Sequence, residues 1–257
     1  MQIEKIKTGI DKLDEILDGG IPKRHTVLIT GTTGTMKSIL GFQILYQSAL
    51  EGMNAAYITL EQSAMSILTQ MSLMGYDFSK ITLDSNDLRA LDSFSAKGQS
   101  KKKALLSVVD IGLIRKKQGK SKKFSWLSAI KSKLSEMSKK RTDVIVLDSL
   151  NALYHLDKFE DARVDLFHLF EFLKDLGLTS FLVNETPAGD VRYSQYGFEH
   201  YLVDGVIQLA LAKRELKVKR ELNIVKMRYA DHMTNIYVFQ FDRKQKRFVI
   251  SEKIAVD

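Results

Sequence analysis

Residues 31–38 read GTTGTMKS, the phosphate-binding pattern G-x-x-x-x-G-K-[ST] with methionine in place of its last glycine. The backbone N–H groups of such a turn wrap a phosphate, and the helix that follows adds its positive end. In this arrangement Gly31, Thr32, Thr33, Gly34, Thr35, Met36, Lys37, Ser38 and Ile39 hold a nucleotide. Lys37 reaches the β- and γ-phosphates and Ser38 binds Mg²⁺. The relaxed pattern is weak alone, and its place between the apolar run HTVLIT and a helical stretch gives it weight. If position 36 requires positive φ, a residue other than glycine costs ~1–2 kcal/mol there. The Met36 side chain also crowds the phosphates, for a loss of roughly tenfold in affinity.

Three more polar residues close apolar runs. Asp148 ends VIVLD and either holds Mg²⁺ through water or caps the next helix; the loop at 31–38 favours Mg²⁺. Glu61 ends AYITLE and is a candidate general base for an attacking water, or else a solvated first-turn glutamate. Asn184 ends FLVN and is equally suited to sensing a γ-phosphate and to capping a loop. His155, His168, His200 and His232 show no zinc-type spacing, and no serine sits on a nucleophile elbow.

These residues need strands to bring them together. HTVLITG (25–31), AAYITL (55–60), DVIVLD (143–148) and TSFLVNE (179–185) read as strands. They alternate with helical patterns over 38–50, from Glu61 to a stop at Gly75, over 124–140 and over 162–177. ALLSVVDIGLI (104–114) also reads as a strand, and the tail is strand after strand. The pattern predicts an α/β fold: a mostly parallel sheet with helices on both faces, extended by antiparallel strands. Such sheets bind ligands outside the carboxyl ends of their strands, where the loop, Glu61, Asp148 and Asn184 would meet.

The 257 residues suffice for a sizeable core, and 44% hydrophobic with 27% charged residues is ordinary for a soluble globular protein. No apolar run approaches the ~18 residues that span a bilayer, so no membrane partner is expected. The start lacks signal-peptide character and the chain has no cysteine, so disulfides are excluded and a cytoplasmic location is expected. The net charge of +8 is concentrated: between Lys97 and Arg141 there are 15 Lys/Arg against Asp110 and Glu136. This basic segment, with Phe124 and Trp126 at its edge, is either a nucleic-acid contact or a solvated loop.

The residues together resemble the KaiC-like ATPases of the RecA superfamily, in their single-domain, archaeal-type form. TGIDKLDEILDGGIPKRHTVLITGTTGTMKS is similar to the family's opening segment, AYITLEQS to its glutamate-bearing strand, and VIVLDSLNALY to its Walker B strand. VRYSQYGFEHYLVDGVIQL with IVKMRYADHM is similar to its C-terminal half. The resemblance implies a RecA-like P-loop NTPase domain over 1–257, with a basic insertion or loop around 93–124. It implies ATP and Mg²⁺ as ligands, a homo-oligomeric ring, commonly a hexamer, with nucleotide between subunits, and self-phosphorylation in some members. It also implies that Lys226 and Arg228 reach a neighbour's phosphates, with His232 near that nucleotide. Without the resemblance, those two are exposed charges on an edge strand. The family's glutamate pair is Glu61-Gln62 here. The expected function is an ATPase in regulation or DNA-linked processes; the alternative, motivated by Met36 and Gln62, is a nucleotide-binding regulator with little turnover.

Overall fold

The computed structural model describes residues 3–95, 104–117, 124–157, 159–187, 194, 196–214 and 217–252. Two short strands, β1 (Lys5–Ile6) and β2 (Ile21–Pro22), pair antiparallel around a helix at Asp11–Ile16. The main sheet contains β3 (Thr26–Gly31), β4 (Ala55–Thr59), β5 (Thr82–Ser85), β6 (Leu105–Asp110), β7 (Val144–Asp148), β8 (Thr179–Glu185), β9 (Gly205–Arg214), β10 (Lys217–Met227), β11 (Tyr237–Asp242) and β12 (Arg247–Glu252). Their spatial order is β12-β11-β10-β9-β3-β8-β7-β4-β6-β5. From β9 to β5 neighbouring strands run parallel, and β9 to β12 form an antiparallel extension. This is the expected α/β architecture.

A core lies on each face. Val27, Ile29, Phe181 and Val183 pack with Leu40, Ile44 and Leu45 of the helix Lys37–Leu50. On the other face Leu28, Leu182, Ile145 and Leu147 pack against the helices Trp126–Lys139, Leu150–Leu156 and Ala162–Asp175. Both faces are covered, so the inner strands read as unbroken apolar runs. Side chains cap most helix starts: Ser63, Ser125, Ser149 and Asp161 each accept a first-turn N–H. Gly75 closes Ala64–Met74 in the left-handed conformation at φ 96°.

The stretch 104–114 is a strand only as far as Asp110, after which Ile111–Lys117 is helical. The Asp110 carboxylate accepts Leu113 N–H at 2.9 Å and turns the chain. An apolar run of this length does not distinguish strand from helix, and the polar break decided it. β6 lies between β4 and β5. The middle of the expected insertion at 93–124 is therefore part of the main sheet, while 96–103 and 118–123 lie outside the described residues. Of the basic segment that is described, Arg115 stands 5.0 Å from the Phe124 ring and 6.0 Å from Trp126. Lys133 and Lys140 both pair with Glu136.

Gly31 is where the sheet passes into the loop. Its φ is +149°, and a Cβ there would stand 1.9 Å from the Leu209 carbonyl oxygen of β9. At Gly34 (φ +83°) a Cβ would meet nothing within 4 Å. Gly31→Ala is accordingly expected to cost more than about 3 kcal/mol and Gly34→Ala about 1–2 kcal/mol, compared by denaturant unfolding.

Candidate functional site: the loop at the end of β3

Parallel register aligns the strand ends. Gly31 pairs with Glu185 across β3 and β8, Asp148 with Val183 across β7 and β8, and Thr59 with Asp148 across β4 and β7. The loop 31–38 leads from this row into the helix Lys37–Leu50, whose N-cap is Met36, with no capping side-chain hydrogen bond. The first-turn N–H groups thus lack the partner that serine or aspartate supplies elsewhere, as an anion site requires. Met36 sits at φ 75°, ψ 27°, the left-handed region anticipated for this position. Its side chain packs against the core on the helix side of the sheet.

A cleft of about 340 Å³ opens here, lined among others by Lys37, Ser38, Glu61, Gln62, Asp148 and Glu185. Lys37 is 5% exposed; its ammonium donates to the Thr32 carbonyl at 2.9 Å and to Glu185 Oε1 at 3.5 Å. Burial pushes its pKa down, opposed by Glu185, Asp148 and Glu61 in that order. Burial pushes Asp148 up, opposed by hydrogen bonds from the Tyr57 and Ser38 hydroxyls. Glu61 stands at the cleft rim and accepts the Ser149 hydroxyl at 3.1 Å, while the same Ser149 oxygen caps the next helix. Partial enclosure raises its pKa, with repulsion from Asp148 and Glu185 adding to the shift.

The structure thus brings Gly34, Met36, Lys37, Ser38, Ile39, Glu61 and Asp148 to one cleft, while Thr32 and Thr33 line the groove beside it. Thr35 is buried and braces the loop through the Thr32 carbonyl at 2.8 Å. Asn184 is not brought there. It is fully buried, with its amide directed at Thr30 Oγ1 (3.5 Å) and the Glu185 carbonyl (3.3 Å). Strand side chains alternate faces, so Asn184 lies on the side opposite the helix Lys37–Leu50 and Glu185 lies on the loop's side.

Sequence reading missed two residues. Glu185 is the carboxylate that meets Lys37, and both groups of the Asn151 side-chain amide hold its backbone. The run FLVNE carried this signal in its last letter. Arg220 of β10 donates from Nε to the Gly34 carbonyl at 2.9 Å and lines the cleft. Nothing in its local sequence points to the loop, because only the β9–β10 register brings it there.

Lys226, Arg228 and His232 are elsewhere. Lys226 pairs with Val206, which pairs with Leu28, three residues before Gly31, so the KMR segment sits at the opposite edge of the sheet, about 10 Å or more down the strand. Lys226 donates to the Val203 carbonyl at 2.6 Å, Arg228 to Asp204 Oδ1 at 2.9 Å, and His232 is half-buried.

A glycine loop opening a helix, with a lysine and a hydroxyl beside a buried strand-end aspartate, defines a P-loop NTPase of RecA-like build. The KaiC ATPase family model matches residues 6–253, and the chain belongs to that family. A UPF0273 protein of Methanopyrus kandleri is 31% identical over 100% of this chain and 96% of its own length. The circadian clock protein KaiC3 of Synechocystis is 28% identical over 96% of this chain, which spans 46% of KaiC3. The crystal structure of a KaiC-like protein from Pyrococcus horikoshii superposes with a TM-score of 0.74 at 25% identity, covering 97% of this chain and 100% of that one. Among the described residues, no helix is long and apolar enough to cross a membrane.

The donor set fits Mg²⁺: Ser38 and Asp148 supply hard oxygens in mutual contact, as suits a cation that otherwise keeps water and phosphate ligands. Because burial raises the folded-state pKa of Asp148, its ionised form costs stability, and that cost is felt as pH rises through its ionisation. Asp148→Asn is expected to raise the melting temperature of the ligand-free protein at neutral pH and to abolish the further rise produced by Mg-ATP. Differential scanning calorimetry checks both.

Proposed function

We propose that the protein binds Mg-ATP in this cleft and hydrolyses it within a head-to-tail homo-oligomeric ring, the hexamer common in its family. The observation that carries the reading is the convergence of Lys37, Ser38, Glu61 and Asp148 at an uncapped helix start. Lys37 and the loop amides hold the β- and γ-phosphates. Ser38 and Asp148 hold Mg²⁺, which when bound neutralises charge on the phosphate oxygens. Glu61 orients the attacking water and takes its proton, and Gln62 can hold that water but not accept the proton. Past Met36 the cleft continues into a second hollow of about 460 Å³, walled by Leu73, Met74, Phe241 and Arg243, which suits ribose and base.

The same sheet supports the ring reading. The cleft and the KMR segment occupy opposite edges, so Lys226 and Arg228 can reach phosphate only in another copy, with His232 beside that nucleotide. A cleft meeting a different face of the next copy is a heterologous contact, which closes into a ring when the rotation permits. Exposed Tyr229, Met233 and Ile236 beside Arg228, and exposed Leu73 beside the cleft, are apolar surfaces for such a contact.

Glu61→Gln is expected to lower kcat by about 10²–10⁴-fold while ATP affinity stays within about twofold, read by phosphate release and calorimetry. In the wild type, turnover rises with pH through an ionisation above the ordinary glutamate value of 4.5, and the variant loses that limb. The second reading, a nucleotide-binding regulator with little turnover, draws on Gln62 and on the Glu185 contact that Lys37 must give up to meet phosphate. Tight ATP binding without phosphate release would favour it. A marked gain of turnover in Met36→Gly would then name the methionine as the brake.

A further inference from the structure

We propose that Asp204 is a positioning residue for Arg228: it sets the guanidinium that one subunit presents to the next subunit's nucleotide. The inference rests on the trans reading above and adds a residue to it. Asp204 is 8% exposed, directly before β9. Its Oδ1 accepts Arg228 Nη1 at 2.9 Å and its Oδ2 accepts Thr26 N–H at 3.1 Å. The backbone repeats the link, since Asp204 N–H donates to the Thr26 carbonyl at 2.8 Å and Arg228 N–H to the Asp204 carbonyl at 3.0 Å. One carboxylate therefore ties the first residue of β3, the approach to β9 and the residue after β10 into one joint.

Arg228 itself is half-exposed, with one nitrogen held at the buried carboxylate and the rest of the side chain toward solvent. A free arginine on an exposed turn samples many rotamers, and ordering it as charge develops on a phosphate would subtract from the gain. The charge-assisted bond to a carboxylate that is itself fixed by a backbone N–H removes that search in advance. Lys174 Nζ lies 3.9 Å from the same Oδ1, so the carboxylate retains a cationic neighbour if Arg228 swings outward toward phosphate. Lys226 is placed differently, by the Val203 and His200 carbonyls, so loss of the Asp204 charge separates the two cations of the KMR segment.

Asp204→Asn keeps the side chain's shape and an oxygen for Thr26 N–H while removing the charge that holds Arg228. The test uses co-expressed, differently tagged subunits purified as mixed assemblies. Lys37→Ala subunits hold no nucleotide but present Arg228, and Arg228→Ala subunits hold nucleotide but present no guanidinium. Turnover in this mixture, absent from either variant alone, establishes the trans reading. Its absence overturns that reading, and the Asp204 proposal with it, before Asp204 is touched.

Asp204→Asn is then added to one partner at a time. On the Lys37→Ala donor it is expected to lower kcat at least about tenfold with KM changed less than about twofold. On the Arg228→Ala acceptor it leaves the mixed rate in place. Asp204→Glu on the donor, which keeps the charge, recovers part of the rate. Equal loss from both placements, or loss from neither, overturns the proposal, because a joint that merely stabilises the fold has no preferred side. Melting temperatures of both Asp204 variants identify a general loss of folding, which would appear as the symmetric result.

Discussion

Everything at the candidate site is arranged around one buried ammonium. Lys37 is almost removed from solvent and faces three carboxylates, those of Glu185, Asp148 and Glu61. Even with Arg220 at the cleft wall, the cations do not balance three negative charges, and the burial of Asp148 makes the excess costly. The fold sustains it with hydroxyl donors: Tyr57 and Ser38 on Asp148, Ser149 on Glu61. The asparagine at 151 fixes the backbone from which Glu185 projects. A site with surplus negative charge, hard oxygen donors and unpaired helix amides is matched by an anion that arrives with a divalent cation. The same charge excess accounts for the neutral donors Tyr57, Ser38 and Ser149 that face these carboxylates.

β3 links the loop edge of the sheet to the edge that carries Arg228. It ends at Gly31, where only a residue without Cβ clears the Leu209 carbonyl, and it begins at Thr26, held by Asp204. The loop 31–38 and the joint that carries Arg228 are thus the two ends of a six-residue strand packed on both faces. Those ends point in opposite directions, so the KMR segment of a copy lies away from that copy's own loop.

Much of this was legible in the sequence. Apolar runs ending in a polar residue marked β3, β4, β7 and β8 because the inner strands are buried on both faces and their carboxyl ends are not. For Met36 the glycine it replaces raised a left-handed conformation as a condition, and the structure supplies it. Asn184 and Glu185 were harder, since adjacent strand residues face opposite ways and only the placement of the helix Lys37–Leu50 decides which faces the loop. Arg220 was invisible, because its approach to Gly34 depends on hairpin register over 186 residues of separation. The helix after Asp110 was hidden in an apolar run that suits either element.

The sequence by itself determined what depends on local order: the sheet-and-helix alternation, the loop chemistry of 31–38, the carboxylates at strand ends and the family to which the chain belongs. Those features are encoded in neighbouring residues, through periodicity and turn chemistry. Only the tertiary structure decided which face each strand-end residue serves, that Glu185 meets Lys37, that Arg220 braces the loop, and that Asp204 holds Arg228. These pairings join residues far apart in the chain. They are fixed by strand register and by helix packing over the sheet, which no local run of letters specifies.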